Sequence, residues 1–212
     1  MADHTEDIFT EPDFDVDGLK NLGPLRGMAG IWEGTRGLDV HPVAEGSEKQ
    51  AFVERFELQP IDPQTNGPQL FYGLRYHTNI VKAGEVNTFH DQVGYWLWEP
   101  ATGSVLLMLA IPRGQVAMAM GKATADAKEF ELVATRGSTA YGICSNPFLE
   151  SNFTTVEFRI KVKINGDGTW SYDEDTVMKV RGQAEPFHHT DRNTLRKIGE
   201  PTLNAQARAA RK

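Results

Sequence analysis

Val156-Glu157-Phe158-Arg159-Ile160-Lys161-Val162-Lys163-Ile164 alternates without a break, with every even position apolar and every odd one charged. Successive side chains of a β-strand point to opposite faces, so the stretch reads as an antiparallel strand with one face buried and the other in water. Asn165-Gly166-Asp167-Gly168 follows it. Both of its dipeptides tolerate positive φ, which makes a tight hairpin. The return strand, Thr169 to Arg181, puts Trp170, Tyr172, Glu174, Thr176, Met178 and Val180 on one face. Its other face carries Ser171, Asp173, Asp175, Lys179 and Arg181, with Val177 alone apolar.

The same period runs upstream. Phe52, Glu54, Phe56 and Leu58 share a face, as do Leu70, Tyr72, Leu74, Tyr76 and Ile80. Strands are expected over Thr88–Glu99, Ser104–Ile111, Gln115–Lys122 and Glu129–Thr135, separated by turns at Glu99–Gly103 and Pro112–Gly114. One short helix is expected in Gly18–Met28, closed by Gly27 or Gly30, and the Ala/Arg-rich Asn204–Lys212 reads as a frayed helix or as disordered. The predicted fold is therefore all-β: about ten antiparallel strands in a barrel or sandwich, with one short N-terminal helix. Closure into a barrel would remove the exposed edges. Glu54, Glu174 and Thr176 fall on inward faces, where an unpartnered carboxyl is costly. A partly hydrated ligand cavity accommodates them; so would positions at a barrel rim, or a bulge that shifts the register.

Composition sets the limits. Among 212 residues, 22 Lys+Arg against 29 Asp+Glu leave a formal charge of -7. This argues against nucleic acid and against an anionic membrane surface as partner. One cysteine makes no internal disulfide and excludes a multi-cysteine metal site. No apolar run approaches a membrane span, and the acidic first residues show no signal peptide, so a soluble, cytoplasmic chain is expected. Residues 1–17 read as a flexible acidic arm, 18–198 as one β-domain and 199–212 as a flexible tail.

Pro24-Leu25-Arg26-Gly27-Met28-Ala29-Gly30-Ile31-Trp32-Glu33-Gly34 resembles the opening of nitrobindin-like proteins, in which a short helix leads into a Gly-x-Trp-x-Gly-x-Gly strand. His90–Tyr95 and Leu109–Gly114 are similar to the family's central strands and turn. The run from Gly182 through His188-His189 to Leu195-Arg196-Lys197 is similar to its closing strand. The resemblance spans Leu22 to Ile198 with the motifs in order. It implies a ten-stranded, calycin-like barrel shaped like the fatty-acid-binding proteins, with Trp32 plugging its base. It further implies a ferric haem b in the cavity, ligated by a closing-strand histidine, with nitric oxide binding and peroxynitrite isomerisation as the possible activity. The alternative is a haem-less relative that binds a lipid-like or other apolar molecule, with Glu174, Thr176 and Glu54 fixing its polar head. A monomer or a homodimer is expected.

Two departures from the family pattern bear on the ligand. Thr35-Arg36-Gly37 is one residue longer than the motif's final Gly-x-Gly, so the first strand bulges or loses that glycine contact. The family's histidine stands five residues before the leucine, whereas Leu195 lies six after His189. Without a bulge His188 takes the inward parity, and with a one-residue bulge His189 does. An adjacent pair on a regular strand cannot both enter one cavity. Trp96 and Trp98, on one face, read as core or as walls for a flat ligand. His77 is expected outside, His41 in a solvated turn, and His90 in a structural role. Cys144 reads as a buried inert thiol, and Met118 and Met120 as core.

Overall fold

The computed structural model describes residues 7–211. A 3-10 helix, Gly23–Met28, precedes β1 (Gly30–Val43), β2 (Gly46–Pro60), the short β3 (Gln64–Asn66) and β4 (Gln69–Lys82). There follow β5 (Thr88–Glu99), β6 (Ser104–Ile111), β7 (Gln115–Lys122), β8 (Glu129–Thr135) and the short β9 (Ile143–Ser145). Helix α1 (Pro147–Asn152) leads into β10 (Phe153–Ile164), β11 (Thr169–Val180) and β12 (Phe187–Gly199), and α2 (Ala205–Ala210) ends the chain. No helix among the described residues is long and apolar enough to cross a membrane.

Ten of these strands form an antiparallel meander, each bonded to the next with β2 paired to β4, and β1 pairs with β12 to close the barrel. The deciding hairpin is present, with Ile160 opposite Glu174, Val162 opposite Tyr172, and Gly168 at φ +81°. β10 begins earlier than its alternation implies. A bulge between Thr155 and Glu157 moves Thr155, rather than Val156, to the buried side.

The base is a layer of indoles. Trp32 is buried, donates Nε1–H to the Met28 carbonyl at 2.7 Å, and meets Trp170 edge-on at a centroid distance of 6.2 Å. The 3-10 helix supplies buried Leu25 and Met28 beneath them, which closes that end as the resemblance implies. The extra residue in Thr35-Arg36-Gly37 produces a bulge: both pairings of β1 shift register there. Gly37 keeps its contact, because a Cβ at that position would lie 2.1 Å from the buried Phe52 ring. Gly34 likewise leaves room for the Asn193 amide, 2.2 Å from where its Cβ would be.

Three expectations need correction. His41 is on β1 rather than in a turn, because the strand runs on to Val43. Met118 and Met120 are not core. Their neighbours Ala117 and Ala119 take the inward side of β7, Ala119 fully buried and Ala117 packed against the core. Cys144 is exposed on β9. At the chain ends, Asn204 Nδ2 donates to the Val16 carbonyl at 2.8 Å and Arg211 pairs with Asp17, so the tail helix is tied to the incoming segment. Residues 1–6 of the acidic arm lie outside the described residues.

Candidate functional site

A cavity of about 390 Å³ fills the barrel above the indole layer. That is a normal size for a small-molecule site. Phe56, Trp96, Leu107, Ile160 and Trp170 line its inner part. Toward the other end stand Phe52, Phe89, Ile111, Phe148, Phe153 and Met178, with α1 supplying Phe148. Polar groups are set into this apolar wall.

β12 is regular against β11 from Phe187 to Arg196, with no shift in register. Leu195, Asn193, Asp191 and His189 therefore share the inward face, and His189 lines the cavity while His188 does not. No bulge is needed, so the unbulged assignment of His188 to the inner face is corrected. An even separation from the buried Leu195 decides the parity. His188 is exposed and bonds Asp175 through Nδ1 at 2.8 Å. Trp96, Thr176 and Glu174 line the cavity. Trp98 points inward too, but it lies in the base against Gly23 and does not reach the cavity. His77 faces outward, paired with Asp91.

Most of the charged groups around His189 were not anticipated. Its Nε2 lies 2.7 Å from Asp39 Oδ1 and 3.5 Å from Asp191 Oδ2. Asp39 is buried, and its second oxygen bonds His41 Nδ1. These residues come from paired strands, with Asp39 opposite Asp191. Burial works to lower the His189 pKa, but the hydrogen bond to Asp39 and the charges of Asp191 and Asp39 outweigh it and raise it. Burial likewise opposes ionisation of Asp39, and the contacts with His189 and then His41 overcome it, so its pKa falls. Asp39 and His189 thus form an ion pair with His41 attached. A visible signal was the alternation Asp39-x-His41 and His189-x-Asp191, two Asp/His pairs at strand spacing.

Two more carboxyls share the cavity wall with Asp39 and Asp191. Glu54 is buried and accepts from Thr78 Oγ1 at 2.8 Å, Tyr172 Oη at 2.9 Å and Asn193 Nδ2 at 3.0 Å. Burial nevertheless raises its pKa. Glu174 is pushed up to about 8 by burial and by the charge of Glu54. Asp191 is pushed up to about 8 by burial and by the charge of Glu174, with His189 pulling the other way. His90, on β5, bonds Gln92 at 3.2 Å, and burial lowers its pKa, so it is a neutral imidazole. Arg113 lines the same cavity, with its guanidinium donating to the Phe89 carbonyl at 2.6 Å. No lysine is among the lining residues.

A porphyrin asks for apolar walls and an imidazole nitrogen with a free lone pair. The walls meet the first requirement. His189 does not meet the second as the side chains stand. His189 Nε2 is committed to Asp39, and a protonated ring has no lone pair to give. Nδ1 sits beside Cβ, where a macrocycle cannot approach. Asp39, His189 and Asp191 instead bring one nitrogen and two carboxylate oxygens within 4.8 Å of one another.

The wider comparisons agree with the barrel. A crystal structure of Rv2717c from M. tuberculosis superposes with a TM-score of 0.60 at 22% identity, covering 85% of this chain and 96% of that one. At that identity the likeness is one of fold. Among curated proteins nothing matches. Residues 21–197 match the family described as THAP4-like, heme-binding beta-barrel domain, from just before the 3-10 helix nearly to the end of β12. The chain belongs to this family of THAP4-like, haem-binding β-barrel domains.

Proposed function

We propose that the barrel binds one small amphipathic molecule, with its apolar body on Trp96, Leu107 and Trp170 and a protonated nitrogen head at Glu174 and Asp191. The observation that carries this reading is the imbalance of charge inside the cavity. Four carboxyls line it, and the only basic group besides histidines is Arg113, which is engaged with a backbone carbonyl. Burial and the neighbouring carboxyls push Glu174 and Asp191 up to about 8, and a cationic head would stabilise their ionised forms. Thr176, between Glu174 and Met178 on the same inward face, adds a hydroxyl near the head.

A second reading, haem b on His189, is favoured by one observation: of the His-His pair, His189 is the member that lines the cavity. It requires Asp39 to release the ring first. Bound haem would supply the nitric oxide and peroxynitrite chemistry that the family resemblance implies, the reactivity being the iron's.

One titration series separates the two readings. A long-chain alkylamine is expected to quench the fluorescence of Trp96 and Trp170, the fatty acid of equal length is not, and Glu174→Gln with Asp191→Asn should abolish the quench. The Soret band of hemin is expected to stay broad and unshifted at stoichiometric protein. A sharpened, shifted Soret band that is lost in His189→Ala and kept in His188→Ala would replace the first reading by the second. Equal quenching by amine and acid would refute the cationic head.

A further inference from the structure

Register sets two inward rows side by side across β1, β12 and β11. In the first, Asp39 stands opposite Asp191 and Asp191 opposite Glu174. Two residues further along each strand come His41, His189 and Thr176, with the last two paired in the sheet. Every member of both rows lines the cavity. Opposite side chains on one face start about 5 Å apart at Cβ, so groups of this length converge. A ring nitrogen of His189, one oxygen of Asp39 and one of Asp191 all lie within 4.8 Å of one another, which no other His/Cys/Asp/Glu trio among the described residues matches. The outward histidines have only single carboxylates beside them, Asp175 for His188 and Asp91 for His77. Two further features belong to the inner group alone. Asp39 is 1% exposed, and its second oxygen accepts from His41 Nδ1, which holds the carboxylate from behind. Glu174 faces the same space from deep in the wall, and its carboxyl has no hydrogen-bond partner among the described residues.

We infer that Asp39, His189 and Asp191 hold one divalent transition-metal ion, bound without a porphyrin, with an open coordination position on the cavity side. An ion of zinc's size keeps nitrogen at about 2.0–2.1 Å and carboxylate oxygen at about 2.0–2.2 Å, so its tetrahedral ligand atoms stand about 3.4 Å apart. His189 Nε2 and Asp191 Oδ2 are already 3.5 Å apart. Nε2 and Asp39 Oδ1, at 2.7 Å, have to open by about 0.7 Å, which a small rotation of the imidazole supplies. The ion takes the place of the proton that His189 donates to Asp39, and that proton leaves to solvent. The His41 bond to the other oxygen of Asp39 is the outer contact that orients a ligating carboxylate. One imidazole with two carboxylates suits zinc, manganese or ferrous iron, whereas magnesium asks for oxygen alone. Three protein ligands leave a fourth position for water, with the Glu174 carboxyl as the neighbouring acceptor. Haem iron would use the one imidazole and neither carboxylate. The ion shares Asp191 with the amine head proposed above and does not rest on that reading; the two cations exclude one another.

Calorimetric titration of the full chain with zinc near neutral pH, after stripping with EDTA, tests the inference. Wild type is expected to take up one zinc ion per chain and to ignore magnesium at the same concentration. Cobalt in place of zinc should give visible d–d absorption. Asp191→Asn and His189→Ala should abolish uptake of both ions while tryptophan fluorescence shows each variant folded. His41→Ala, which removes the outer contact, should weaken zinc by about 10–100-fold. His188→Ala and His77→Ala, on the outer surface, should leave uptake unchanged. Quenching by the alkylamine is read with EDTA present, so the amine site and the ion site can each fail alone. Wild type that takes up no zinc, uptake that survives Asp191→Asn, or uptake lost in His188→Ala overturns the inference.

Discussion

Replacing Asp191 by Asn tests the carboxyl-lined cavity through stability alone, with no ligand required. In the fold this carboxyl titrates near 8, against 3.8 in its ordinary state. Below the lower value it is protonated whether folded or not, and costs nothing. As pH rises, the unfolded chain ionises first and the folded chain does not, so wild type loses stability steadily until about pH 8. Four units at about 1.4 kcal/mol each set a ceiling of roughly 5–6 kcal/mol. Hydration from the cavity and a proton shared with Glu174 reduce that, and Asn forfeits the contact with His189. A net relative gain of about 1–3 kcal/mol for Asp191→Asn between pH 4 and pH 8 is therefore expected. Urea unfolding followed by tryptophan fluorescence at pH 4, 6 and 8 measures it. If the variant instead loses ground to wild type as pH rises, Asp191 is ionised in the fold and the argument from crowding is wrong.

Asp39→Asn leaves the His189 imidazolium without its buried partner and should cost about 2–4 kcal/mol. The loss should be greatest between about pH 4 and 6.5. Asp39, with a lowered pKa, contributes above its ordinary 3.8, and His189, with a raised one, contributes fully below its ordinary 6.5 and less as pH climbs through the folded value. Gly37→Ala drives a methyl into the Phe52 ring and should destabilise by about 1–3 kcal/mol in urea melts. Gly166→Ala, facing open space in the hairpin turn, should change little. Trp32→Phe removes the donor to the Met28 carbonyl and the edge contact with Trp170, for a loss of about 2–4 kcal/mol by the same assay.

Strand existence was legible because it depends on neighbours in sequence. The expected spans Thr88–Glu99, Ser104–Ile111, Gln115–Lys122 and Glu129–Thr135 coincide with β5 to β8, since alternation and Gly/Pro turns are local signals. The inward set of β11, from Trp170 to Met178, was legible for the same reason. The face of β7 was not. Met and Ala alternate there, and either could be buried; the register with β6, which sets Met118 beside the exposed Met108 and Ala119 beside the buried Leu107, decides that the small residues go in.

For the site, the sequence by itself supplied Glu54, Glu174 and Thr176 as inward polar residues and narrowed the closing-strand choice to His188 or His189. Tertiary structure settled the parity by fixing Leu195 in the base, from which even steps along an unbulged strand lead to His189. Asp39, the group that holds that ring, lies 150 residues away. No local pattern links positions so far apart. Their meeting depends on ring closure through β1 and β12, and with it the charge state of the histidine on which any ligand must act.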